Sequence, residues 1–274
     1  MSELEDQFLG FCRTPDIRKL ESPRSYPVFE FPKITMNENI RKELKQMPSK
    51  GTSILGKRME AFFKIAISQS ERYHLLAQSI QVIEGKRTLG ELDFLLRDTK
   101  NGKIVHVELV YKLYLYDPGF ASENDRWIGP KRKDRYSYKI QKLTKNQFPL
   151  LHHPATATYL ERLGIDSAQV EQQLCFKAQL FAQPAQLRED FQVNENCLIG
   201  HWITYAEFLS GDYENCQFVS PPKVSWSAGP DSGSHWKSFI EIQKTIERLF
   251  SEGQVPLLWM KNSSDYSSFF VVNW

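Results

Sequence analysis

Residues 104–116, Ile-Val-His-Val-Glu-Leu-Val-Tyr-Lys-Leu-Tyr-Leu-Tyr, constrain the fold more than any other stretch, because the run is apolar except for His106, Glu108 and Lys112. Its β-branched and aromatic content reads as a strand. A second apolar segment, Gly90–Leu96, precedes it, and the turn between them, Asp98-Thr99-Lys100-Asn101-Gly102, carries the Asn-Gly pair that favours a hairpin. Side chains change face at every residue of a strand. Val105, Val107, Leu109, Tyr111 and Leu113 therefore share one face, and His106, Glu108, Val110, Lys112 and Tyr114 the other. A carboxylate and an amine lie on one face of an apolar strand, beside a strand carrying Asp93. Either this is a site or it is the wetted side of a sheet.

A chain of 274 residues can remove about 75% of its unfolded surface from water, enough for one large domain or a domain with an appended subdomain. The net charge of +2 argues for no particular partner, so only local clusters of charge are informative. Cys12, Cys175, Cys197 and Cys216 are scattered, with no CxxC pair, and read as reduced thiols, mostly buried. The acidic N-terminus has no apolar signal region, and no apolar run approaches the ~20 residues that span a bilayer. A cytoplasmic protein with no membrane partner is the expectation.

In chain order, residues 3–20 read as a short helix broken at Pro15, and residues 22–50 as an extended, proline-containing lead-in with one helical turn near Ile40–Leu44. Residues 53–72 form the clearest helix, with Ser53 as N-cap and Ile54, Leu55, Met59, Phe62, Phe63, Ala66 and Ile67 as its apolar stripe. Glu60 reads there as an i,i+4 partner of Lys64. Strand character covers residues 74–84, then the two strands of the hairpin. A helix is expected from Asp134 to Asn146, a second helical patch over 155–172, and a further strand over Leu174–Ala182. Beyond them, Ile203–Leu209 and Trp236–Glu252 look helical, and Pro256–Met260 and Phe269–Trp274 extended. Residues 1–50 are thus a lead-in, 51–183 a core and 184–274 a C-terminal α+β extension packed on it.

Buried charges cost several kcal/mol each unless paired or bound to metal. Asp93 and Glu108 would converge from neighbouring strands, and a hard divalent cation resolves their repulsion. Mg²⁺ takes one or two carboxylates, keeps several waters and binds substrate phosphate. The Leu109 backbone carbonyl could complete the shell, and the Lys112 ammonium could orient a water or stabilise phosphate charge. The competing reading pairs Lys112 with Glu108 on a solvated face and leaves Asp93 as a surface residue near the turn.

Gly90-Glu91-Leu92-Asp93-Phe94-Leu95 followed by Val105-His106-Val107-Glu108 resembles the signature of the PD-(D/E)XK (restriction-endonuclease-like) nuclease superfamily. The resemblance implies an αβββαβ core with a central mixed sheet flanked by helices. It implies Mg²⁺ or Mn²⁺ held by Asp93 and Glu108, a catalytic lysine on the third strand, and an assisting glutamate on the preceding helix, matched by Glu60. More closely, Arg87–Phe94, His106–Leu109 with Lys112, Trp127–Pro130 and Gly200-His201-Trp202 resemble a bacterial family, domain-of-unknown-function family 1853. Two departures stand out. Leu92 precedes Asp93 where the superfamily often has proline. Val110 stands where the lysine is expected, with Lys112 two residues on and about 6–7 Å further along the same face. The implied activity is Mg²⁺-dependent phosphodiester hydrolysis, on DNA more than RNA. The alternative is a degenerate nuclease fold that binds nucleic acid or protein without turnover.

His106 could orient Glu108, act as a general base or be a structural histidine, and Glu91 could be a third acid or a charge at the strand start. Lys131, Arg132, Arg135, Lys139 and Lys142 are the candidate nucleic-acid contacts. Lys131, Arg135, Lys139 and Lys142 recur at one-face helical spacing, which suits phosphates and equally suits a solvated helix. Gln147 matches the polar residue that the family carries at the helix end.

Overall fold

The computed structural model describes residues 2–19, 26–47, 54–230, 234–262 and 265–274. The chain is α/β, with a mixed sheet flanked by helices. In order come α1 (Glu3–Arg13), α2 (Glu38–Lys45), α3 (Leu55–Ser68), β1 (Tyr73–Glu84), β2 (Arg87–Asp98), β3 (Ile104–Tyr116), α4 (Glu123–Arg126), β4 (Trp127–Ile128), α5 (Tyr136–Lys142) and α6 (Pro154–Arg162). Then follow β5 (Val170–Ala182), β6 (Leu198–Thr204), α7 (Tyr205–Ser210), β7 (Gln217–Val219), α8 (Phe239–Ser251), β8 (Leu257–Asn262) and β9 (Asp265–Val272). Among the described residues, no helix is long and apolar enough to cross a membrane. All four cysteines are free thiols, three of them buried.

The chain divides into two compact units, each drawn from separated stretches. One comprises Asp16–Tyr111 and Ser137–Lys177. Here β1 pairs antiparallel with β2 from Tyr73↔Asp98 to Glu84↔Arg87, and β2 pairs antiparallel with β3 from Arg97↔Ile104 to Phe94↔Val107. The expected hairpin forms, with Gly102 at φ +73° and its N–H donating to the Asp98 carbonyl. Positive φ is what glycine supplies at no steric cost. The Asp98 carboxylate anchors the turn by accepting from Lys100 N and from the Arg72 guanidinium. One core gathers Ile80, Val82, Leu92, Leu95, Leu150, Leu151, Leu160 and Val170. From Leu55 onward the α3 stripe is buried as its spacing requires, whereas Ile54, expected in it, precedes the helix and is exposed; Phe63 meets Phe94 with ring centroids 4.4 Å apart. Ile54 occupies the N-cap of α3 without a side-chain bond, and the expected cap, Ser53, lies outside the described residues.

The other unit comprises Met1–Pro15, Lys112–Tyr136 and Ala178–Trp274. In it β5 runs parallel to β6, β6 parallel to β9, and β8 antiparallel to both β9 and β7. A Cβ on Gly200 would lie 2.2 Å from the Ser268 carbonyl oxygen, so only glycine allows this approach of β6 to β9. Phe208, Phe218, Ile242, Ile246, Leu258 and Phe269 are fully buried together.

Several element boundaries differ from expectation for local reasons. The helix expected over 155–172 ends at Arg162, because Gly164 takes φ +66° and Ile165 N–H returns to the Leu160 carbonyl. Residues from Val170 then join β5. Ile203 is extended, not helical: the Thr204/Glu207 capping box starts α7 at Tyr205, two residues later. A second capping box, Ser238/Glu241, starts α8 at Phe239 and leaves Trp236 outside it. The helix expected over 134–146 is α only from Tyr136 to Lys142, then widens to a π turn over Leu143–Gln147 and tightens to 3₁₀ over Phe148–His152. Thr144 Oγ1 donates to the Ile140 carbonyl 2.9 Å away, a back-bond of the kind that bends helices.

Candidate functional site

The β2–β3 ladder holds as far as Phe94↔Val107, and beyond it a side chain takes over. Asp93 Oδ2 accepts from Leu109 N–H at 2.8 Å, where the neighbouring strand would otherwise supply a carbonyl. N–H and C=O of one strand residue point to the same edge, so the Leu109 carbonyl also faces the β2 side, in keeping with its candidacy as an oxygen donor.

Both faces of β3 are buried here. His106 is 0% exposed and Glu108 2%, so the pair is not the wetted side of a sheet. His106 Nε2 lies 3.0 Å from Glu108 Oε1, and its Nδ1 lies 3.1 Å from Gln172 Nε2. Gln172 also donates to the Phe148 carbonyl at 2.8 Å. An amide nitrogen donates, so Nδ1 faces a donor and Nε2 faces one Glu108 oxygen, which the ring holds in place. The Gln147 amide approaches the other, Oε2, at 3.5 Å and the Glu91 carbonyl at 3.4 Å. The π turn sets that approach, with Gln147 as its last residue. Gly90 makes room, since a Cβ there would stand 2.5 Å from Leu150 Cδ1.

Burial pushes the Asp93 carboxyl well above the usual carboxylate range, and the Glu108 charge raises it further. The Leu109 N–H and the Lys139 charge act the other way, and Glu60 adds repulsion. The hydrogen-bond donor to Asp93 is thus a backbone amide rather than a cation. Two mutually repelling carboxylates on neighbouring strands are hard oxygen donors of the kind that suit Mg²⁺ or Mn²⁺. Among the described residues no group of three or more His, Cys, Asp or Glu side chains is arranged to hold a metal, so water would fill the rest of the shell.

Glu60 joins this acidic group through charge, but its ion-pair partner is Lys57 at 2.7 Å rather than the expected Lys64, which is exposed. Lys57 also lies 3.6 Å from Glu91 and feels Asp93, so one ammonium serves several acids. Lys57 and Gln172 escaped the sequence reading. Lys57 carries an i,i+3 signal to Glu60, whereas nothing local marks Gln172, which lies 66 residues from His106. Lys112 belongs to the other unit, and its ammonium is bound to the Asp134 carboxylate. Val110, at the position expected for lysine, is buried.

The basic residues do not form one helical face. Lys131, Arg132 and Arg135 precede α5, and only Lys139 and Lys142 lie on it. Arg132 pairs with Asp117 at 2.8 Å and covers the Trp274 ring, while Arg135 lies over Phe120. A turn at Arg132, with φ +57°, breaks the spacing before the helix begins.

Residues 33–268 match the family model described as Domain of unknown function (DUF1853). No curated protein and no solved structure matches the chain.

Proposed function

The chain belongs to the DUF1853 family, and from that premise and its buried acid pair we propose that it is a Mg²⁺- or Mn²⁺-dependent phosphodiesterase acting on nucleic acid, on DNA in preference to RNA. The observation that carries this reading is a buried Asp93 on β2, bonded to β3 through the Leu109 N–H and driven toward its protonated form by burial and by the Glu108 charge. A structural acid pair would be answered by a guanidinium or ammonium, as Asp98 is by Arg72. Asp93 and Glu108 are the proposed metal ligands, with the Leu109 carbonyl beside them. When bound, the ion would supply Lewis acidity toward a phosphate oxygen and a more acidic water. His106, positioned by Gln172, keeps the Glu108 carboxylate oriented, and Lys57 holds Glu60 and Glu91 beside the site. Lys112 serves as the catalytic lysine only once its ammonium leaves Asp134. Lys139 and Lys142 on α5 are the proposed phosphate contacts, with Lys131, Arg132 and Arg135 on the preceding turn.

The test is cleavage of single- and double-stranded DNA and RNA in Mg²⁺ or Mn²⁺, with EDTA and Asp93→Ala as controls. Metal-dependent cleavage lost in Asp93→Ala supports the reading, and cleavage retained by the variant, free of contaminating nuclease, overturns it. One observation favours a second reading: the Lys112–Asp134 ion pair together with buried Val110. That arrangement suits a nuclease fold that binds without turnover, and it would show as salt-sensitive nucleic-acid binding in the absence of cleavage.

A further inference from the structure

Away from the acid pair, the unit built from Met1–Pro15, Lys112–Tyr136 and Ala178–Trp274 carries a cleft of about 680 Å³. Lys131, Lys223 and Arg248 line it, and Trp226, Pro222 and Pro256 form part of its wall. We propose that this cleft is a binding site for a phosphomonoester of nucleotide size, with Lys131 and Lys223 holding the phosphate and the Trp226 side carrying the body of the ligand.

Three features point to that chemistry. First, the charges are unbalanced. Lys112, Lys131, Lys223 and Arg248 meet two carboxylates: Asp134, bound by Lys112, and Glu252, 2.6 Å from Arg248. The excess of two positive charges matches a phosphate dianion. Among the described residues, neither Lys131 nor Lys223 has a carboxylate partner, and the Lys223 ammonium lies 5.5 Å from the centre of the Trp226 ring. Second, among the described residues of the lining, the cations without a carboxylate partner are lysines, the guanidinium being paired with Glu252. Arg248 Nη1 makes that pair, so the guanidinium charge is already partly answered, while the two lysines bind phosphate as point charges. Third, the volume falls within the ~300–1,000 Å³ of small-molecule sites, more than a bare phosphate fills. Electrostatics agree: partial desolvation lowers the pKa of Lys223, which still reaches solvent, and Lys131 and then Lys112 lower it further, a repulsion that a bound anion offsets.

The experiment is calorimetric titration of the full chain at low ionic strength, with EDTA present to silence the acid pair. The probes are AMP, UMP, adenosine and pyrophosphate, with a pair of oligonucleotides differing only in a 5′-phosphate. Saturable binding of the monophosphates and none of adenosine is expected. Lys223→Met and Lys131→Met should each weaken binding about tenfold, the scale of one lost charged hydrogen bond. Lys86→Met, in the turn between β1 and β2, should change nothing. The free protein's Tm should stay level or rise in Lys223→Met, because a repelled charge is removed. Preference for the phosphorylated oligonucleotide over AMP assigns the cleft to nucleic-acid ends, and the reverse preference to free nucleotides; either supports phosphomonoester recognition. Adenosine binding as tightly as AMP, no saturable binding by any phosphate probe, or full affinity in the folded double variant overturns the proposal.

Discussion

Replacing His106 by leucine tests whether the histidine is an anchor for Glu108 or only core volume. The ring is 0% exposed and bonded at both nitrogens, at 3.0 Å to Glu108 and 3.1 Å to Gln172. Leucine fills much of the space but strands a carboxylate that is 2% exposed and one amide hydrogen of Gln172. An orphaned buried neutral group costs about 1–3 kcal/mol, and a buried charge stripped of its partner about 3–5 kcal/mol. Allowing for the remaining Gln147 contact, His106→Leu should cost about 3–5 kcal/mol, a large share of the roughly 5–15 kcal/mol that holds a typical protein folded. At about 2–4 °C per kcal/mol for a chain of this size, Tm should fall roughly 6–20 °C. In a Glu108→Leu background the same substitution removes a donor that has lost its acceptor and strands only the Gln172 amide hydrogen, so it should cost no more than about 1–3 kcal/mol. The assay is a double-mutant cycle by urea unfolding in EDTA, followed by tryptophan emission and far-ultraviolet circular dichroism so that coincident transitions can be checked. A coupling energy below about 0.5 kcal/mol would refute the assignment of His106 as the group that stabilises Glu108. The same variant should weaken Mn²⁺ binding about 10- to 100-fold, as loss of a ligand-orienting group does.

Asp93→Asn should raise the stability of the metal-free protein at neutral pH and abolish any rise in Tm on adding Mg²⁺. The sign follows from the raised carboxyl: between its ordinary and raised values the folded state holds more protons than the unfolded state, so stability falls as pH rises through that window. The asparagine variant should lack that slope, and metal affinity in the parent protein should strengthen over the same window. Asp98 behaves oppositely, because the Arg72 hydrogen bond lowers its pKa. Its stabilisation is present above the ordinary carboxylate value and lost as pH falls through the lowered one. Asp98→Ala should cost about 2 kcal/mol in chemical denaturation, less than a fully buried pair because Arg72 keeps 29% of its side chain open. Lys112 and Asp134 are each about one-third exposed, so either alanine substitution should change stability by under about 1 kcal/mol. Their turnover separates the two readings: loss of cleavage in Lys112→Ala with retention in Asp134→Ala makes the lysine catalytic, and equal rates in both exclude it.

Strand alternation placed His106 and Glu108 on one face, and helical spacing placed the α3 residues from Leu55 to Ile67 in a core, because burial of a face imposes a period that one sequence displays. The turn chemistry of Asn101-Gly102 was equally local. What alternation could not supply was the opposite side of β3, since both faces are buried and the polar face looked open to water. The true partner of Glu108 is His106, two residues away, whereas the Lys112 four residues away is bound by Asp134. Thr204-x-x-Glu207 and Ser238-x-x-Glu241 were readable capping boxes and would have fixed the starts of α7 and α8. The π turn that carries Gln147 has no such mark, because the Thr144 back-bond depends on the helix already being formed. Lys57 illustrates a different limit: its i,i+3 pairing with Glu60 is local, but its sharing with Glu91 depends on the packing of α3 against β2.

The chain passes from one compact unit to the other four times, after Pro15, Tyr111, Tyr136 and Lys177. During synthesis the unit holding the acid pair has all its residues once Lys177 has been added, whereas the other needs its earliest segment to wait for its last strands. Asp93, Glu108, His106 and Gln172 can therefore come together before β6, β8 and β9 exist, and α1 must remain uncommitted until they do. Waiting for distant partners slows folding and leaves apolar surface open for longer. Fragments ending near residue 177 should retain more structure than fragments beginning there, and no single cut can release either unit whole.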